Sequence, residues 1–117
     1  MERYNMTRKQ YLQDLENSVA YGIFTCAIKE YLNENSHNSK KLRTCNAVVY
    51  STDNYYLLKS YNTFIAAIEK NTNKIADVLR GEYHFTRTSA QHISKFIYDY
   101  HPFPQNIDRY TYIYRKI

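Results

Sequence analysis

At 117 residues, with sixteen Lys and Arg against eleven Asp and Glu, fourteen tyrosines, no tryptophan and two glycines, the chain suits one basic domain rich in aromatic contact. With only Gly22 and Gly81 it lacks the bare backbone that phosphate-cradling loops and nucleophile elbows require, which argues against most active sites of those designs. The net charge of +5 suits nucleic acid, an acidic protein or an anionic surface as partner, and equally an ordinary solvated domain.

Residues 7–33 read as a helix that Thr7 can cap. Leu12, Leu15, Val19, Ile23, Cys26 or Ala27, and Tyr31 recur at steps of three and four and predict one apolar stripe for the core. Tyr11, Tyr21, Phe24 and Ile28 widen that stripe, and Gly22 marks either a close helix crossing or a break into two shorter helices. The polar stretch 33–41 reads as a mobile loop. Residues 45–80 then read as an antiparallel meander of three or four strands. Its strands are Ala47–Tyr50, Tyr55–Leu58, Thr63–Ile68 and, after a hairpin loop at Lys70–Lys74, Ile75–Leu79.

A second helix is expected over 88–100, where Thr88 and Gln91 stand at capping-box spacing and Ile93, Phe96, Ile97 and Tyr100 share a face. His101-Pro102-Phe103-Pro104 stops it, because proline cannot continue a helix. Residues 109–115, with Tyr110, Tyr112 and Tyr114 in alternation, read as a last strand on a sheet edge. The expected architecture is a single α+β domain over 1–117, with the long N-terminal helix packed on a short antiparallel sheet. No apolar run approaches the roughly 20 residues that span a bilayer. The polar opening Met1–Asn5 is not signal-like, and Cys26 and Cys45 could form at most one bridge, so a cytoplasmic setting without membrane contact is expected.

Four kinds of chemistry could draw on these residues. Cys26, His37, Cys45, His84 and His92 are the soft metal ligands, but none falls in the close pairs that zinc motifs use, so no metal or other cofactor is expected. Ser89 and His92 are three residues apart on one helical face, with His84 and Asp77 nearby, yet Ser89 reads better as a capping hydroxyl. The chain is therefore expected not to be an enzyme. Lys40, Lys41 and Arg43, together with Arg109, Arg115 and Lys116, could form a basic face, and exposed tyrosines at 55, 56, 110, 112 and 114 could stack on unpaired bases. Stoichiometric protein binding fits best, through rigid tyrosines and a β-edge that can extend a partner's sheet. The same edge could equally join two copies of this chain.

The segment from about Ala47 to Tyr100 resembles a small uncharacterised domain family carried by phages and plasmids of low-GC Gram-positive bacteria. The residues behind the resemblance are Ser60-Tyr61-Asn62-Thr63-Phe64-Ile65-Ala66, Tyr83 and Thr86-Arg87-Thr88-Ser89-Ala90-Gln91-His92-Ile93-Ser94-Lys95-Phe96. They cover under half of the chain and leave out the N-terminal helix and the Pro-Phe-Pro segment. The resemblance implies an accessory protein of a mobile element, working in the cytoplasm of a bacterial host cell. Such proteins resemble inhibitors of host defence, anti-CRISPR proteins among them, many of which are acidic nucleic-acid mimics. This chain is basic, which argues against DNA mimicry and for covering a protein surface or guide RNA. The functional expectation is an inhibitor of a defence effector such as a CRISPR–Cas nuclease, a protein or a ribonucleoprotein. Its expected partner-binding residues are Lys40, Lys41, Arg43, Tyr55, Tyr56, Arg109, Tyr112 and Arg115. The alternative is a small basic nucleic-acid-binding accessory or regulator.

Overall fold

A six-stranded sheet lies between two helices in the computed structural model, which describes residues 7–34, 38–42, 46–79 and 87–114. The elements in chain order are α1 (Arg8–Asn33), β1 (Asn38–Lys41), β2 (Ala47–Ser51), β3 (Tyr55–Ser60), β4 (Thr63–Glu69), β5 (Ile75–Asp77), α2 (Arg87–Tyr100), a short 3₁₀ stretch (Pro104–Arg109) and β6 (Thr111–Ile113). Spatial order follows chain order from β1 to β6. Neighbours from β1 to β5 pair antiparallel, and β6 runs parallel to β5 after the α2 crossover.

Alternation along the strands sorts two cores. Leu58, Ala66, Ile68 and Ile75 turn toward Ile93, Phe96 and Ile97 of α2. Tyr55, Leu57, Ala67 and Ala76 turn the other way, toward Ala20, Ile23 and Ala27 of α1. The α2 core is large and branched, with Phe96, Leu58, Ile68, Ile75 and Ile93 fully buried. The α1 core is lined with alanine on both sides, so the helix backbone can approach the sheet closely. A bulge in β4 sets two consecutive residues on one layer. Leu58 pairs with Ala66 and Lys59 with Phe64, which leaves Ile65 without an opposite residue and places it beside Ala66 in the α2 core, while Ala67 faces α1.

Thr7 caps α1 as its residue type predicts, within a full capping box. The Gln10 N–H donates to the Thr7 hydroxyl at 3.2 Å, and the Thr7 N–H donates to the Gln10 side chain at 3.0 Å. At the other end of the chain, His101 is buried and accepts the Phe103 N–H on Nδ1 at 3.0 Å. Its Nε2 therefore carries the proton and donates to the Asn73 carbonyl at 2.9 Å, tying the end of α2 to the β4–β5 hairpin.

Several expectations need correction. The sheet has six strands, not three or four, and it is mixed. Asn38–Lys41 of the stretch read as a loop over 33–41 is strand β1, whose four residues are all exposed and so carry no apolar alternation; its order comes from backbone pairing with β2. The last strand, Thr111–Ile113, begins at 111 rather than 109 because the 3₁₀ stretch occupies Pro104–Arg109, and position 115 of the expected strand lies outside the described residues. Thr88 lies inside α2, which already includes Arg87, so it is not the cap. Gly22 breaks nothing, since α1 runs through it and a side chain there would meet open space.

Leu12 and Leu15, expected on the core stripe, are each 48% exposed. Geometry explains this. A helix of 26 residues runs about 39 Å. Six strands span about 24 Å in width and the longest strand, of seven residues, reaches about 23 Å, so the sheet cannot cover the whole of α1.

Candidate functional site

The expected contact residues do not share one surface. Lys40 and Lys41 are exposed on β1, at one edge of the sheet, whereas Arg109 and Tyr112 stand at the opposite edge. Tyr55 is only 9% exposed and sits beneath α1, so it cannot be a free stacking platform. Its position on β3, a central strand, overrides the pattern that marked it for the surface. Tyr112 is half-buried against the same α1 core, and Tyr56 is half-buried on the other face, with its ring 4.9 Å from that of Tyr100. Arg43 and Arg115 lie outside the described residues.

Three of the eight do come near one another. Lys40 and Lys41, with Leu42, line a depression of about 410 Å³ closed by Lys95, Asp99 and Tyr100 of α2. Lys95 pairs with Asp99 at 3.1 Å, and Tyr56 lies behind Tyr100 with the Lys70 ammonium 4.6 Å above its ring. Burial, and then the Asp99 carboxylate and Tyr56, push the Tyr100 phenol above its ordinary pKa. This corner is a small basic patch with the Tyr100 ring in its lining and Tyr56 packed on that ring.

A second and larger concavity lies where the β3–β4 turn, the ends of β5 and β6, and both helices meet. It is a cleft of about 580 Å³, walled by Tyr21 and Phe24 of α1, Tyr61, Phe64, Ile65, Val78, Leu79 and Tyr114. Polar groups converge on it at one place, where Ser60 and Ser89 reach the lining. The Ser60 hydroxyl is 2.8 Å from His92 Nδ1 and 3.4 Å from the Ser89 hydroxyl, and Ser60 and His92 are both buried. An apolar concavity of this size with a few converging polar groups is the usual form of a binding site.

The turn at its mouth is unusual. Ser60 pairs with Thr63, so Tyr61 and Asn62 make the whole connection, and Tyr61 holds φ at 56° in the left-handed region. A non-glycine residue there costs roughly 1 kcal/mol, and such backbone collects at functional sites. The Tyr61 N–H donates to the Asn46 carbonyl at 2.6 Å, which holds the turn while its ring stays 55% exposed and 6.1 Å from that of His92. The arrangement can take up an apolar or aromatic group along its walls and offer it two hydroxyls at the floor.

The chain places these residues far apart, and the fold joins them. Ser60 and Tyr61 come from the turn after β3, while Ser89 and His92 come from the first half of α2. Ser60, Tyr61, Ser89 and His92 thus meet in space, and the pairing runs from His92 to Ser60 rather than from His92 to Ser89, whereas Tyr83 and Thr86 lie outside the described residues. Phe24 belongs to a helical stripe and Val78 and Leu79 to a strand pattern, and their place in the wall follows from tertiary structure alone. Asp77, a candidate neighbour of Ser89 and His92 in the sequence, is buried in β5 and accepts the Leu79 N–H at 3.1 Å. His84 lies outside the described residues.

Of the considered metal ligands, Cys26 is exposed, and His37 and Cys45 lie outside the described residues. Among the described residues no three His, Cys, Asp or Glu side chains gather as a metal would need, and no helix is long and apolar enough to cross a membrane. In comparisons with known proteins, no family model, no curated protein and no solved structure matches this chain.

Proposed function

We propose that the chain acts by stoichiometric protein binding, with the aromatic cleft receiving an apolar or aromatic anchor side chain of the partner. The single observation that carries this reading is the cleft itself: tyrosine and phenylalanine walls around a floor of Ser60, held by the buried His92, and Ser89, with a strained and exposed Tyr61 at its mouth. Binding energy concentrates where a large side chain fills such a pocket and sheds its water. In the phage and plasmid setting that the resemblance implies, the partner is a bacterial defence effector such as a CRISPR–Cas nuclease, and the protein is its inhibitor.

The test is affinity capture from a host lysate, with and without nuclease, alongside inhibition of the candidate effector in vitro. Tyr61→Gly is the informative variant, since it removes the ring and suits the positive φ, leaving the turn intact. Retention of a partner after nuclease treatment, and its loss with Tyr61→Gly, is the expected result. A partner indifferent to Tyr61→Gly would remove the cleft from the account.

The basic patch favours a second reading, a nucleic-acid-binding accessory. Lys40, Lys41 and Lys95 beside Tyr100 and Tyr56 offer phosphate contacts next to aromatic rings. Under it, capture is abolished by nuclease and by Lys40→Glu with Lys41→Glu, and affinity falls steeply with salt.

A further inference from the structure

From Arg8 to Val19 no residue of α1 is buried, although Tyr11, Leu12 and Leu15 are 46%, 48% and 48% exposed. A helical stretch this short is marginal in water without packing. The capping box at Thr7 and Gln10 fixes its start but buries nothing. The exposed apolar residues are ordered along it. Leu12 and Leu15, continued by Val19 where the helix begins to pack on the sheet, follow steps of three and four, a heptad seam with Leu12 and Val19 at a and Leu15 at d. This seam is turned by roughly a quarter of the helix circumference from the face that carries Ala20 and Ala27 onto the sheet. Lys9 and Glu16 take the two e positions beside it, and both are exposed.

We propose that a second copy of the chain covers this seam, the two α1 helices lying antiparallel about a twofold axis between Leu12 and Leu15. In that register Leu12 packs on Leu15 of the second copy, and Leu15 on its Leu12. Antiparallel pairing brings e positions together, so Lys9 meets Glu16 of the second copy, and symmetry makes the attractive pair twice. Charge selects against the alternatives. A parallel pair sets Arg8 against Arg8 on the seam, and sliding the antiparallel pair by one heptad sets Glu16 against Glu16. This surface is separate from the cleft and from the basic patch, so the dimer stands or falls independently of the proposed function.

Sedimentation equilibrium of the full chain over a range of concentrations tests it. A monomer–dimer equilibrium is expected, with Leu12→Glu plus Leu15→Glu giving a monomer of unchanged far-UV circular dichroism. Lys9→Glu is expected to raise the dimer Kd about tenfold, and adding Glu16→Lys to the same chain should restore it. In this register the two Cys26 thiols lie about 37 Å apart, so mild oxidation of a Cys45→Ser variant should give no disulfide-linked dimer. A monomer at every concentration, a dimer indifferent to the leucine changes, failure of the charge swap to rescue, or ready Cys26 cross-linking would each overturn the proposal.

Discussion

Glu30 receives two hydrogen bonds from a single residue of the β2–β3 turn: the Asn54 N–H donates to Oε1 at 2.6 Å and the Asn54 side-chain amide to Oε2 at 2.9 Å. The clasp joins the last turns of α1 to the sheet across 24 positions of sequence. Burial works to raise the Glu30 pKa, but the Asn54 and Thr52 hydrogen bonds and the nearby Lys70 charge outweigh it and hold the carboxyl below its ordinary 4.5. A depressed carboxyl contributes its stability in full above the unfolded value, and loses it as pH falls through the folded value.

Glu30→Ala should therefore cost about 1 kcal/mol at neutral pH, the lower end for charge-assisted bonds because the site is solvent-exposed. The difference from wild type should shrink as the pH drops below 4.5, where the wild-type carboxyl takes up its proton. Urea midpoints at pH 7 and pH 3 check both statements. An equal gap at the two pH values would separate the clasp from the ionised carboxylate.

The same corner predicts alkaline behaviour. Tyr55 is buried, and burial, then Cys26, then Glu69 push its phenol from 10.0 up to about 12; its hydroxyl donates to Glu69 at 3.3 Å. A phenol raised in the fold contributes stability in full below the unfolded pKa and loses it as pH rises through the folded one, here between pH 10 and about 12. Tyr55→Phe should flatten the fall of stability across that window, by at most about 1.4 kcal/mol per pH unit for one proton. Tyr31, raised by burial and by Tyr50, and Tyr100 keep a residual slope. A Tyr55→Phe slope identical to wild type would count against the buried phenol.

How much of this was legible in the sequence depends on what signal each element carries. The helices and β2 to β5 stand out because apolar side chains recur at the helical or strand period. β1 does not, because all of its side chains face solvent and its order is a property of its neighbour's backbone. Tyr55 and Tyr56 are adjacent tyrosines of one strand, yet one is buried beneath α1 and the other half-buried beneath Tyr100. Composition cannot separate them; only the strand's place between two layers does. The overhang of α1 was invisible for a related reason, since Leu12 and Ile23 read alike until the width of the sheet is known. The cleft was half legible. Its polar residues formed a recognisable pattern along the chain, but the Ser60–His92 contact spans 32 positions and no local spacing encodes it.

That contact is open to direct test. Ser60→Ala takes a hydrogen-bond partner from a buried ring nitrogen, and His92→Ala removes the ring from a site 5% exposed. Each should cost about 1–3 kcal/mol, with the His92 change the larger because it also leaves a cavity. The double variant should cost about 1 kcal/mol less than the sum of the two, since the interaction is lost only once. Chemical denaturation of the four proteins closes the cycle, and strict additivity would argue that the 2.8 Å contact contributes nothing.

Gly22 offers a stabilising change. It sits inside α1, its position is exposed, and an added Cβ would find no atom within 4 Å. Its backbone is ordinary right-handed helix, so nothing in the fold uses the freedom that glycine confers. Replacing it with alanine narrows the unfolded ensemble and removes a weak point midway between the overhanging and the packed halves of the helix. Gly22→Ala should raise stability by about 0.5–1 kcal/mol. It should leave self-association through Leu12 and Leu15 unchanged, because Gly22 lies beyond their overlap. Thermal and urea unfolding at matched protein concentration measure the first effect, and sedimentation the second. A loss of stability would mean that another chain approaches the helix at Gly22, and would move the dimer axis toward it.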